Sequence, residues 1–206
     1  MEPDLTSYEG RELNWQLCTK AGNLKMEARL YAEAQTWYKQ AIELAQLMLE
    51  EAMQGSTHPD AIHPYVVSCH NRADVYLQLG NIQEAETVFQ QTYDRVVEIV
   101  ENSSLSDALR LESFQALKMI AFEMNRFYCE LDRADLAQEI MSKTAQKLQL
   151  YRGQIKFVAA PDSEKIGDNS VQLHTNFPNE SQTNTNFKRN NSILIPPPLQ
   201  GGVRAC

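Results

Sequence analysis

Residues 57–100 read THPDAIHPYVVSCHNRADVYLQLGNIQEAETVFQQTYDRVVEIV, and this stretch decides the fold. Apolar and small side chains recur every three or four residues over 65–77 and again over 82–97, which indicates an apolar stripe on each of two α-helices. Between the stripes, Leu79-Gly80-Asn81 supplies a glycine where the chain leaves a right-handed helix, and Asn81 can cap the next helix. The stretch therefore predicts two amphipathic helices folded back on each other.

The spacing within this hairpin resembles the tetratricopeptide repeat. Small residues at Ala73 and Ala85 would let the two helices approach closely. His58-Pro59, followed by a helix that carries Asn71-Arg72-Ala73, resembles the kinesin-light-chain type of the repeat, although Arg72 replaces the usual leucine. The resemblance implies a superhelix whose first helices line a concave surface for a peptide. The positions that carry the resemblance are Cys69, Arg72, Ala73, Tyr76, Ala85 and Phe89.

The same pattern occurs 51 residues upstream and 52 residues downstream. Arg29 and Asp132 stand there at the places equivalent to Gly80. We predict an all-α fold, a right-handed α–α superhelix of about three tetratricopeptide-like hairpins. A repeat domain over 8–152 would hold these hairpins at about 10–54, 57–102 and 105–151. The equivalent positions are Gly22, Tyr31, Ala34 and Tyr38 upstream, and Asn125, Tyr128, Ala137 and Met141 downstream.

The character of the sequence changes at residue 153. Residues 153–206 are rich in Asn, Thr and Ser and have no sustained helical or strand period, so we predict a low-complexity, mostly disordered C-terminal tail. Charge changes at the same place. Residues 1–150 contain 23 acidic and 13 basic side chains, for a net charge of −10, whereas residues 151–206 contain 4 and 6, for a net charge of +2.

The composition disfavours two classes of partner. A formal net charge of −8 disfavours nonspecific binding to nucleic acid, because a surface that follows phosphates needs clustered Lys and Arg. No apolar run approaches the roughly 18 residues that a membrane span needs. The N-terminal residues are acidic and do not resemble a signal peptide. We therefore predict a cytoplasmic protein with neither nucleic acid nor membrane as a partner.

Few residues suggest chemistry. No glycine-rich phosphate loop, nucleophile elbow or HExxH motif occurs. His58, His63, Cys69 and His70 are close in sequence, but their spacing matches no compact zinc pattern. We predict no catalytic residue, no metal site and no cofactor. An enzyme or metal-binding protein with an unrecognised site remains the less favoured alternative.

The prediction for function is a non-catalytic adaptor or scaffold that binds a protein or peptide segment in the concave groove. A chaperone-like module for a secreted or regulatory protein and a regulatory domain that senses a signalling peptide are alternatives, and homo-oligomerisation is left open. In the repeat family, an asparagine like Asn71 often hydrogen-bonds the backbone of a bound peptide. That role carries over to Asn71 alone, because Lys20 and Glu123 occupy the equivalent places. The candidate groove residues are Asn23, Glu27, His70, Asn71, Asp74, Gln78 and Arg126, on a face that also includes Gln16, Thr19, Phe122 and Glu130.

Overall fold

A computed structural model of the chain describes residues 6–55 and 57–152. This part contains six α-helices and no strand, so the predicted all-α class is confirmed for it. The predicted disordered tail, 153–206, lies outside the described residues. In chain order the helices are α1 (Tyr8–Glu27), α2 (Tyr31–Gln54), α3 (Ile62–Gln78), α4 (Ile82–Glu101), α5 (Asp107–Glu130) and α6 (Ala134–Arg152), with a 3₁₀ turn at Pro59–Ala61 before α3.

The helices pack as three hairpins joined in sequence order. The largest contacts are those between successive helices, from α1 against α2 through to α5 against α6. The first helix of each hairpin also touches the next one, because α1 contacts α3 and α3 contacts α5. On the other side, the Tyr93 hydroxyl of α4 lies 3.0 Å from the Thr144 hydroxyl of α6. The helices α1, α3 and α5 therefore form one layer.

The three hairpin turns share one backbone geometry. Each contains a residue with positive φ, namely Arg29 at 58°, Gly80 at 75° and Asp132 at 56°. These positions are 51 and 52 residues apart. Each turn closes with the two hydrogen bonds of a Schellman motif, which satisfy carbonyls at the helix end. The bonds are Arg29 N to Met26 O and Leu30 N to Lys25 O, Gly80 N to Leu77 O and Asn81 N to Tyr76 O, and Asp132 N to Cys129 O and Arg133 N to Tyr128 O.

Two of the helices, α1 and α5, begin with a serine whose side chain caps the helix. The Ser7 hydroxyl accepts from Gly10 N at 3.1 Å at the start of α1. The Ser106 hydroxyl accepts from Leu109 N at 3.3 Å at the start of α5. Asn81 stands at the start of α4, but its side chain makes no capping hydrogen bond. The prediction that Asn81 caps this helix was therefore wrong: α4 begins directly from the Schellman turn.

Small residues lie where the helices of a hairpin meet. Ala73 and Ala85 are fully buried, as their predicted place at a close helix approach requires. In the first hairpin, a Cβ on Gly22 would lie 2.4 Å from Cε1 of Tyr38, so only glycine fits beneath that ring. Ile82, predicted for the apolar stripe of α4, is instead largely exposed at the start of that helix.

The buried polar groups connect the hairpins. The Trp15 indole donates to the Ser68 hydroxyl at 2.7 Å, which links α1 to α3. Arg110 is almost fully buried and donates from Nε to the carbonyl of Val100 at 3.1 Å, which links the start of α5 to the end of α4. Since an unpaired buried polar group is costly, these bonds specify how one hairpin lies on the next.

Candidate peptide-binding surface

The seven predicted groove residues lie on α1, α3 and α5, the helices that form one layer. They differ in accessibility. Of this set, Glu27 is exposed, Gln78 and Arg126 are partly exposed, and the side chains of His70 and Asp74 are mostly buried, with 12% and 19% of their surface exposed. Asn23 and Asn71 are buried, with 8% and 3% of their surface exposed. The open part of the layer is therefore charged, and its two asparagines lie below the surface.

Asn23 holds the first hairpin together. Its Oδ1 accepts a hydrogen bond of 2.7 Å from the hydroxyl of Tyr38, which is fully buried on α2. A bond in a buried setting of this kind stabilises the hairpin by about 1 kcal/mol. The structure thus gives Asn23 a partner within the chain, one turn before the exposed Glu27 on the same helix.

His70 is an ion-paired, protonated histidine. Burial of the ring acts to lower its pKa, but the charge of Asp74 and a hydrogen bond to that carboxylate raise it, as does the charge of Glu123. The net effect raises the pKa of His70 to about 9, although the Arg126 charge opposes it. His70 Nε2 lies 3.3 Å from Asp74 Oδ2, one turn along α3. His70 therefore carries a positive charge at neutral pH.

Arg126 is held between two carboxylates of α5. Its Nη2 lies 2.9 Å from Glu123 Oε2, and its Nε lies 3.8 Å from Glu130 Oε1. Glu123 and Arg126 also act electrostatically on His70 across the contact between α3 and α5. We call His70, Asp74, Glu123 and Arg126 the charged cluster. It pairs two cations, His70 and Arg126, with two anions, Asp74 and Glu123.

An exposed aromatic ring lies beside the charged cluster. Phe122 precedes Glu123 on α5 and stands one turn before Arg126, and half of its surface is exposed. At the equivalent places, Thr19 is fully buried and His70 is mostly buried. Helical spacing predicted that Phe122 lies on this face, although Phe122 was not among the predicted groove residues. The ring of Phe122 thus adds an apolar contact next to charged side chains.

Asn71 is buried within the layer formed by α1, α3 and α5. It lies one turn before Asp74 on α3, and because only 3% of its surface is exposed, its amide is not accessible on the open face. Gln78, at the end of α3, accepts a hydrogen bond of 3.2 Å from the hydroxyl of Tyr31 on α2. The polar groups available to a ligand are thus mainly the charged side chains.

A known family matches most of the described chain, from within α1 to beyond the end of α6. The family model described as "Protein of unknown function (DUF2753)" matches residues 13–154, well over half of the chain. The chain belongs to the DUF2753 family. No curated protein and no solved structure is significantly similar to this DUF2753 chain.

The histidines and the cysteine near residue 60 have different surroundings in the DUF2753 chain. The ring of His58 stacks on Tyr8 with centroids 3.6 Å apart, and His63 Nε2 lies 2.9 Å from Glu112 Oε2. Cys69 is buried, and burial raises the pKa of its thiol. Within 6–55 and 57–152, no three side chains of the types His, Cys, Asp and Glu are grouped to hold a metal ion.

None of the helices in the described part of the chain combines the length and the apolar character needed to cross a bilayer.

Proposed function

We propose that this DUF2753 chain is a non-catalytic interaction module, an adaptor or scaffold of three tetratricopeptide-like hairpins. It binds an extended segment of another protein across α1, α3 and α5. The observation that carries the proposal is an exposed aromatic ring, Phe122, next to the charged cluster on the layer made by the first helix of each hairpin.

The repeated turns support the assignment to repeats. The residues with positive φ, Arg29, Gly80 and Asp132, recur at nearly constant spacing and close with the same pair of hydrogen bonds. Units of equal build that stack through nearest-neighbour contacts create an extended surface along their first helices. A right-handed superhelix with a concave side is the arrangement we propose for them.

The side chains of the open face suit a ligand of mixed character. Phe122 offers an apolar contact for a side chain of the bound segment, and aromatic anchors of this kind often dominate binding energy. Arg126, whose side chain is 39% exposed, can also contact a carboxylate of the ligand, and the exposed Glu27 can attract a basic group. Because ion pairs already restrain the charged cluster, its side chains lose less conformational entropy when a ligand binds.

The electrostatics support a role in binding rather than catalysis. A general base must accept a proton at the working pH. His70, with its pKa raised to about 9, is already protonated at neutral pH. Arg126 and the carboxylates around it are engaged with one another as ion pairs. The charged cluster is therefore organised to present fixed charges.

The test combines capture and mutation. The tagged full-length chain is used to capture proteins from its native cells, and a captured protein is titrated in a calorimeter. Phe122→Ala with Arg126→Ala should weaken binding by about ten- to a hundredfold, since loss of an aromatic anchor and a charged contact typically costs about 1–3 kcal/mol. Circular dichroism should show unchanged helix content, because both side chains are at least partly exposed.

A matched variant on the opposite helices serves as the control. Leu47 of α2 is exposed to the same degree as Phe122, and Arg95 of α4 forms an i,i+3 ion pair with Glu98 that resembles the Arg126 pair. Leu47→Ala with Arg95→Ala should leave the affinity unchanged. Equal losses from both variants, or a loss from the control alone, would place the interaction on another surface.

A further inference from the structure

The outer face of α1 carries an apolar stripe that no described residue covers. Leu13, Leu17 and Leu24 are spaced four and seven residues apart, so they project from one side of the helix. Each has more than half of its surface exposed, at 56%, 56% and 57%. Trp15 and Thr19, on the opposite side of α1, are buried. Three aligned exposed leucines on one helix exceed the scattered apolar residues normal for a surface.

The apolar surface extends from α1 onto α2. The Cys18 thiol lies 3.7 Å from Gln40 Oε1, so these two residues lie at the same level on the adjacent helices α1 and α2. Trp37 stands one turn before Gln40 on α2 and has 36% of its surface exposed. The whole outer face of two adjacent helices of this length, with its polar side chains included, measures roughly 30 by 20 Å, or about 600 Å². Twice that area reaches the lower limit of about 1,200 Å² for specific protein interfaces.

The opposite end of the molecule is different. The exposed side of α6, the last helix, carries Gln138, Glu139, Ser142, Lys143 and Gln146. Its one large exposed apolar side chain is Leu150. A stack of repeats normally ends in a polar outer face of this kind. The apolar end thus has no complementary surface at the polar end, and head-to-tail assembly of copies is disfavoured.

We infer that the apolar stripe of α1 is a self-association surface and that its occupant is α1 of a second copy of this chain. An apolar surface at one end only is satisfied when two copies meet through the same surface about a two-fold axis. In an antiparallel pair centred between residues 18 and 19, Leu13 lies level with Leu24 of the partner copy. Leu17 lies level with Lys20 of the partner copy, whose alkyl stem can pack against the leucine.

Charge favours this contact over others between the same two chains. The whole chain has a formal net charge of −8, so most approaches of two copies bring like charges together. Between Leu13 and Leu24 the charged side chain on the stripe is the cation Lys20, and the exposed acids Glu9 and Glu27 lie one turn beyond its ends. Contact through the stripe therefore removes apolar surface from water where no acidic group stands between the leucines.

The experiment is sedimentation equilibrium on the full-length chain, which involves no peptide ligand and is independent of the proposed function. The wild type should sediment at twice the 23.5 kDa mass of one chain. Leu17→Glu with Leu24→Glu should sediment as a monomer, with a dimer dissociation constant raised at least about a hundredfold, because each copy would have to bury two carboxylates in an apolar contact. Leu17→Gln with Leu24→Gln should act in the same direction with a smaller effect.

The control uses two exposed residues at the other end of the molecule, Gln146 and Leu150 of α6. Gln146→Glu with Leu150→Glu adds the same number of carboxylates and should remain dimeric. Circular dichroism should show the same helix content for every variant, since all four exchanged residues are exposed within one copy. A monomeric wild type would overturn the inference. Cover of the α1 stripe by another segment of the same chain would give that result, because the stripe would then not be occupied by a second copy. Dissociation of the control to the same degree would also overturn it.

Discussion

The first and central hairpins have the same build, but their glycines lie at different positions, at the helix contact in the first hairpin and at the turn in the central one. In the first hairpin Gly22 lies under the ring of Tyr38 where the helices meet, and Arg29 takes the positive φ of the turn. In the central hairpin Ala73 occupies the place equivalent to Gly22, and Gly80 takes the positive φ. The comparison separates two physical reasons for glycine, which are the absence of a side chain and the freedom of the backbone.

The partner ring explains why the helix contact differs. Tyr38 is fully buried and donates a hydrogen bond to Asn23, so the ring is fixed against the backbone of α1. At the equivalent place in the central hairpin, Phe89 lacks a hydroxyl and contacts His70 and Phe127 instead. The first hairpin thus closes more tightly, and the central hairpin leaves room for the methyl group of Ala73.

The largest expected effect in this comparison is that of Gly22→Ala. The new Cβ would lie 2.4 Å from Cε1 of Tyr38 and 2.6 Å from its Cδ1, and the buried ring has no free space to enter. We expect a loss of about 2–3 kcal/mol in the free energy of unfolding, as for an overpacked core. This loss exceeds the gain of about 1 kcal/mol in helix propensity. Urea unfolding followed by circular dichroism measures it.

Lys39→Ala is the control for that variant, because Lys39 is exposed on α2 and directly follows Tyr38 in sequence. Its effect should stay within about 0.5 kcal/mol. If Gly22→Ala left the unfolding midpoint unchanged, Tyr38 would be able to move away from α1. The steric reason for Gly22 would then be wrong.

The next effect concerns His70, which stands in the central hairpin where Thr19 stands in the first. The pKa of His70 is raised from 6.5 to about 9 by Asp74 and Glu123, against the effect of burial. Its contribution to stability is therefore fully present below pH 6.5 and is lost as pH rises through about 9. The shift corresponds to at most about 3–4 kcal/mol, and solvent screening of the partly exposed carboxylates of Asp74 and Glu123 reduces it to about 1–2 kcal/mol.

Unfolding free energies measured between pH 6 and about pH 9.5 check this prediction. The wild type should lose stability over that range, and His70→Gln should lose less by about 1–2 kcal/mol. His58 and His63 remain in both proteins, so the difference between the two curves isolates His70. Parallel curves would mean that the ion pair with Asp74 contributes nothing to folding.

A smaller effect is expected at the central turn. Gly80 has a φ of 75°, and a Cβ there would meet no atom within 4 Å. Gly80→Ala should therefore destabilise the protein by about 1 kcal/mol through backbone strain alone. Gly55→Ala is the matched control, because Gly55 has a φ of −116° and its Cβ would make ordinary contacts. Its unfolding midpoint should stay close to that of the wild type.

The same contrast explains how much of the fold could be predicted. The all-α class followed from apolar periodicity, which reports burial directly. The central turn was visible because Gly80 is an explicit signal for positive φ. The turns at Arg29 and Asp132 carry no such signal, since the Schellman hydrogen bonds impose positive φ on residues that do not favour it. Side-chain capping by Asn81 was wrong because the preceding turn already orders the start of α4.

The candidate surface was predictable in outline but not in its contacts. Helical spacing placed the candidate residues on α1, α3 and α5, but spacing cannot show what a neighbouring helix does to them. Asn71 is buried and Asn23 is bonded to Tyr38 because of tertiary packing. The charged cluster needs α3 and α5 side by side, a contact between residues about 50 positions apart in sequence. No local pattern around Glu123 could indicate that it acts on His70.

The smallest expected effect lies at the outer turns, where glycine is absent. Arg29→Gly should relieve about 1 kcal/mol of backbone strain and add about half as much entropy to the unfolded chain. The result is a stabilisation of about 0.5 kcal/mol, seen as a slightly higher midpoint in thermal unfolding. Asp132→Gly should gain less, because aspartate tolerates positive φ better than arginine does. If both variants were destabilised as much as Gly80→Ala, turn conformation could not explain why the hairpins differ in their glycines.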